Sequence, residues 1–76
     1  MKLSKLFAGQ YELHTTVDGY KVRVEASYGE MMRGFNVAYF INDELIFSDG
    51  FTGMTLYGIK QGLEINVEDA IEEYKK

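Results

Sequence analysis

The side chains of this chain that could do chemistry are few and scattered. His14 is the only histidine and cysteine is absent. No disulfide, thiolate site or Cys nucleophile can form, and one imidazole does not build a typical zinc site. As a general base His14 would need a nucleophile and an orienting group beside it. Neither is evident, so it reads as a surface strand residue. Glu12 and Glu25 fall opposite each other if residues 10–28 form a hairpin, as a carboxylate dyad would. An open strand face, however, offers no pocket to make one an acid and the other a base. Asp43, Glu44 and Asp49 lack the alternating acid spacing of a calcium loop. The sequence therefore predicts no catalytic residue, no metal and no cofactor.

Three segments approach nucleic-acid or phosphate motifs. "RGFNVAYF", residues 33–40, is close to the strand on which RNA-recognition domains stack bases. That pattern needs a small residue where Asn36 stands and a stacking aromatic where Val37 stands, and it belongs to a different element order. It reads instead as a central core strand. "GMTLYGIKQ", residues 53–61, is a near miss for a phosphate loop. Ile59 intrudes before Lys60, and Gln61 replaces the hydroxyl. "GFTG", residues 50–53, has the form of a GXXG loop without positive charge, and reads as a turn.

The composition agrees with a non-enzymatic domain. Seventy-six residues with 46% apolar content suit one small globular domain, residues 1–76, with a modest core. No apolar run is long enough for a membrane span. The absence of cysteine suits a reducing cytoplasm. Residues 1–42 carry five basic and four acidic side chains, whereas residues 43–76 carry three and eight. The net charge of −4 opposes direct binding to nucleic acid; the acidic half could attract a basic protein surface, and its ordinary role is to keep the chain in solution.

The elements follow from pattern and punctuation. Residues 2–8, with Leu3, Leu6 and Phe7, suit one helical turn. Residues 10–28 alternate on both sides of Asp18-Gly19, a dipeptide favoured in type I′ turns. A two-residue loop pairs Val17 with Tyr20, Thr15 with Val22, Leu13 with Val24 and Tyr11 with Ala26, all on one face. A second hairpin, 35–41 with 45–48, is expected to turn through three residues, Asn42–Glu44. That register pairs Ile41 with Leu45 and Tyr39 with Phe47, and leaves Phe40 opposite Ile46 on the polar face. Residues 52–62 favour a helix ending at Gly62, although "LEINV" alternates like a strand. Residues 67–75 form a helix with Asn66 as N-cap and Val67, Ala70, Ile71 and Tyr74 buried. The expected fold is α+β: a four-stranded antiparallel meander with one or two C-terminal helices packed on one face.

Two surfaces emerge as partner contacts. One joins Phe40 and Ile46 on the open sheet face to Tyr28, Met31 and Met32 in the loop before the third strand. Met and Tyr are enriched in interface cores. A third layer, such as residues 1–8, could instead cover these side chains. The other surface is an acidic row, Glu64, Glu68 and Glu72 with Asp69 and Glu73, which could imitate a phosphate strand. Its ordinary role is the solvated face of an amphipathic helix.

In overall character the chain resembles the small inhibitors encoded by bacteriophages, including anti-CRISPR proteins. It is short, acidic and cysteine-free, and "VDGYKVRVE", residues 17–25, looks like the hairpin such proteins carry. A type I-F inhibitor of comparable size has a four-stranded sheet and two helices. The resemblance implies a stoichiometric protein ligand that blocks a nucleic-acid-processing machine. The leading expectation is thus a protein-binding module. Two others stand beside it: a nucleic-acid binder using Lys21, Arg23, Arg33 and tyrosines of the open sheet face, and a structural homodimer.

Overall fold

Asp18 and Gly19 both have left-handed backbones, with φ of 51° and 84°, as a type I′ turn requires. The computed structural model describes residues 1–76. It contains strands β1 Ser4–Phe7, β2 Gln10–Val17, β3 Tyr20–Gly29, β4 Gly34–Ile41 and β5 Glu44–Gly50, then helix α1 Leu56–Lys75. The strands pair in chain order as one antiparallel sheet. The fold is α+β, and the β2–β3 register is the expected one at all four apolar pairs.

Three expectations need correction. Residues 4–7 are an edge strand rather than a helical turn, so the meander has five strands. Leu3 is buried while Ser4 pairs with Glu12 on the outer face. The register shift between Lys5 and Phe7 breaks the alternation and leaves Leu6 out of step.

The β4–β5 loop has two residues, not three. Asn42 and Asp43 take φ of 50° and 68°, another type I′ turn. Ile41 therefore pairs with Glu44 and Phe40 with Leu45. A bulge at Ile46 then restores Tyr39 opposite Phe47 and keeps both on the inner face.

The C-terminal segment is one helix, not two. Thr55 caps it, its hydroxyl accepting from the Gly58 N–H at 3.1 Å. Gly62 and Asn66 lie inside it. A helix-interior glycine costs about 1 kcal/mol against alanine. The buried stripe Ile59, Leu63, Val67, Ala70 and Ile71 runs past both residues and outweighs that cost. Asn66 is also needed elsewhere, because its amide donates to the Tyr39 hydroxyl at 3.1 Å.

The core lies between α1 and the inner face of the sheet. Leu13, Val22, Val24, Ala26, Val37, Tyr39 and Ile41 meet the helix stripe there. Burial pushes the Tyr39 phenol above its ordinary pKa; the Asn66 hydrogen bond opposes this and the Asp49 carboxylate adds to it. The Tyr20 and Tyr74 rings meet edge to face at 5.8 Å, and Asn42 Nδ2 donates to the Tyr74 hydroxyl at 3.2 Å. These contacts tie the end of the helix to two turns.

At the opposite end the chain is held by backbone. Phe35 N–H donates to Met54 O, and Gly53 N–H to Arg33 O, each at 3.1 Å. The approach requires Gly34, because a Cβ there would lie 2.4 Å from Phe51 O and 2.9 Å from Gly53 N. Gly34→Ala is therefore expected to destabilise the fold by about 2 kcal/mol or more, as overpacking against fixed atoms does. Gly19→Ala meets open space and carries only its φ strain, about 1 kcal/mol. Urea unfolding of both variants checks this, and the reverse order of stabilities would contradict the packing described.

Candidate functional site

The outer face of the sheet is an ion-pair network around one aromatic. The Arg23 guanidinium lies 4.0 Å over the Phe40 ring. Its Nη1 is 3.6 Å from Asp43, which also lies 3.4 Å from Lys21 Nζ. Arg23 Nε is 3.2 Å from Glu25 Oε2 but off the donor direction, so the buried N–H makes no hydrogen bond. His14 Nε2 sits 2.6 Å from Glu12. Glu12 and Glu25 are paired in register, yet each turns to its own basic neighbour rather than forming a dyad. A depression of about 280 Å³ lies between His14, Thr16, Lys21, Arg23 and Asp43. No group of three or more His, Asp or Glu side chains is placed to hold a metal ion.

The first proposed contact surface divides. Phe40 is half-buried beneath Arg23, with the exposed Leu45 opposite. The bulge takes Ile46 out of line with Phe40, and Ile46 packs against the core. Tyr28, Met31 and Met32 lie at the other end of β4. Phe40 stands six positions along the strand from Gly34, about 20 Å at the usual rise. Tyr11, Tyr20 and Tyr39 pack toward the core, so they do not furnish the open face with stacking rings.

The acidic row is intact. Glu64, Glu68, Asp69, Glu72 and Glu73 are all exposed on α1. Glu72 and Glu73 make loose contacts of 3.5 Å with Lys75 and Lys76, worth little at a solvated surface. Glu68, Asp69 and Glu72 also border a depression of about 330 Å³ whose apolar lining is Val17 and Ile71. Ile65, exposed on the same helix, is an apolar side chain that the sequence pattern did not flag.

The end of the molecule that holds the β1–β2 and β3–β4 turns and the β5–α1 connection has a different character. Tyr28 N–H donates to Gly9 O at 2.8 Å, which joins the two turns. The Arg33–Phe35 bonds to Gly53 and Met54 join the connection to them. Large apolar side chains gather there with much of their surface in water: Met31 at 101% relative exposure, Tyr57 at 71%, Phe51 at 58% and Tyr28 at 46%. Met32 is half-buried and folds back, its Cγ 3.2 Å from where a Cβ on Gly29 would stand. Residues 1–8 do not cover this end; Ser4–Phe7 pair as the edge strand, with Phe7 opposite Gln10 on the outer face. Phe51 and Tyr57 escaped the sequence reading because they are distant in the chain from Met31, and only the backbone bonds between the β3–β4 turn and the β5–α1 connection bring them to it.

The Arg23–Phe40 stack has a measurable energy of its own. In a double-mutant cycle, Arg23→Ala and Phe40→Ala are expected to show a coupling of about 0.5–1 kcal/mol, the scale of a partly exposed cation–π contact. Thermal or urea unfolding of the four proteins gives the value. Additive effects would mean the stacked geometry contributes nothing to the fold.

No family model matches the chain, and no curated protein or solved structure matches it.

Proposed function

We propose that the chain is a non-enzymatic protein-binding module and that its apolar end is the contact surface. The observation that carries this reading is that Met31, Phe51 and Tyr57, each more than half exposed, stand with Tyr28 where the β3–β4 turn is bonded to the β5–α1 connection and the helix entry. Together they exceed the scattered single apolar residues of an ordinary surface. Phe40, half-buried and stacked under Arg23, is assigned to the sheet rather than to the contact. The likeness in size, charge and cysteine-free composition to phage-encoded inhibitors supports a stoichiometric mode of action. On that reading the partner is a nucleic-acid-processing complex in the cytoplasm, and association blocks it without chemistry.

A second reading has its own support. The exposed carboxylates of Glu64, Glu68 and Asp69 have no basic partner within ion-pair distance. They could imitate a phosphate strand in the same complex.

Capture from a lysate of the native cells separates the readings. The double variant Met31→Ser, Phe51→Ser is expected to fold normally, since both side chains are exposed, and to lose captured partner at least roughly tenfold, the scale of an interface anchor. Capture that survives this change and instead fails in Glu68→Gln, Glu72→Gln would favour phosphate mimicry. Sedimentation of the purified protein tests the homodimer: dissociation of a dimer by the apolar variant would make a second copy the partner.

A further inference from the structure

We infer that the apolar end receives an apolar, carboxylate-bearing segment of a protein partner, with Arg33 as the residue that grips the carboxylate. The inference rests on the apolar end being the contact surface. Its first support is the distribution of basic charge. Lys21, Arg23, Lys75 and Lys76 each have a carboxylate within 4 Å. Lys2, Lys5, Arg33 and Lys60 have none. Two of these four belong to the apolar end. Arg33 follows Met31 and Met32 in the β3–β4 turn, and Lys60 is in the first turns of α1 after Tyr57, whereas Lys5 lies in β1 at the opposite edge of the sheet from the β5–α1 connection. In a protein of net charge −4, two uncompensated cations thus stand beside the exposed apolar side chains of this end. Such a surface is complementary to apolar side chains accompanied by anions.

The second support is backbone strain at Arg33. Its φ is 52°, in the left-handed region that glycine adopts freely and other residues adopt only at a cost. The conformation is imposed from outside. Arg33 O accepts from Gly53 N–H at 3.1 Å, and Gly34 is pressed against the Phe51 carbonyl. A strained position that bears an exposed, unpaired arginine points to a role for the side chain itself. Arginine presents a planar fork that matches a carboxylate through two parallel hydrogen bonds, and it is enriched among interface anchors. Thioethers at Met31 and Met32 adapt to apolar side chains of varied shape. Nucleic acid fits this end less well, because two separated cations, Arg33 and Lys60, do not make a phosphate track.

Selection of a random-peptide phage library on the immobilised protein tests the inference. Enriched peptides are expected to combine apolar residues with Asp or Glu. Synthetic copies should bind Arg33→Gly at least roughly tenfold more weakly and Arg33→Lys more weakly as well, while Arg33→Gly melts no lower than the parent. Peptides that need Met31 and Phe51 but carry no acid, or that ignore Arg33→Gly, would overturn the carboxylate contact and leave the contact surface standing. No enriched peptide, or peptides indifferent to Met31→Ser, Phe51→Ser, would overturn the surface and the inference together. Salt-sensitive binding of a single-stranded oligothymidylate that requires Arg33 would transfer the site to nucleic acid and overturn it too.

Discussion

One helix has to cover a five-stranded sheet, and the rest of the structure answers that constraint. The sheet buries Val24, Ala26 and Tyr39 at its centre, and α1 alone supplies the opposing layer. Twenty residues of helix extend about 30 Å, close to the 35 Å long axis of the molecule. A helix broken at Gly62 would leave part of the apolar face in water. Each buried Val, Leu or Ile contributes about 1.5–3 kcal/mol, more than the glycine penalty. The continuous helix also places Asn66 where it can satisfy the hydroxyl of the buried Tyr39.

The same constraint separates the two ends of the molecule. The Asp18-Gly19 and Asn42-Asp43 turns lie with the helix C-terminus, where charges pair and the Tyr20, Asn42 and Tyr74 side chains close the layer. The other end holds two turns, the helix entry and a connection fastened by backbone hydrogen bonds, the tight packing at Gly34, the Met54 side chain against the core and the Thr55 cap. None of these uses the side chain of Phe51. Phe51, Met31 and Tyr57 are therefore left outside the core, free to meet another surface.

The parts of this arrangement that were legible in the sequence are those where two local signals agree. In the first hairpin the turn dipeptide and the apolar alternation specify one register, and that register forms. The second hairpin was misread because its bulge at Ile46 has no sequence signature, and apolar pairing alone favoured a longer loop. The first strand was misread because the register shift at Leu6 gives Leu3, Leu6 and Phe7 a helical spacing. Gly62 and Asn66 carry strong helix-boundary signals, and tertiary packing overrode both. Of the contact surface, Tyr28, Met31 and Met32 could be read from one loop. Phe51 and Tyr57 join them only because the β5–α1 connection is bonded to the β3–β4 turn, which no local pattern contains.

The central claim is that the protein meets its partner through the end bearing Met31 and not through the open sheet face or the acidic helix. Site-specific photocrosslinking tests it most directly, with the reactive residue placed in turn at Met31, Leu45 and Ile65, all exposed positions on the three surfaces. In a lysate of the native cells, one discrete protein adduct at Met31, with none at Leu45 or Ile65, is the predicted result. An adduct confined to Leu45 or to Ile65 would contradict the account.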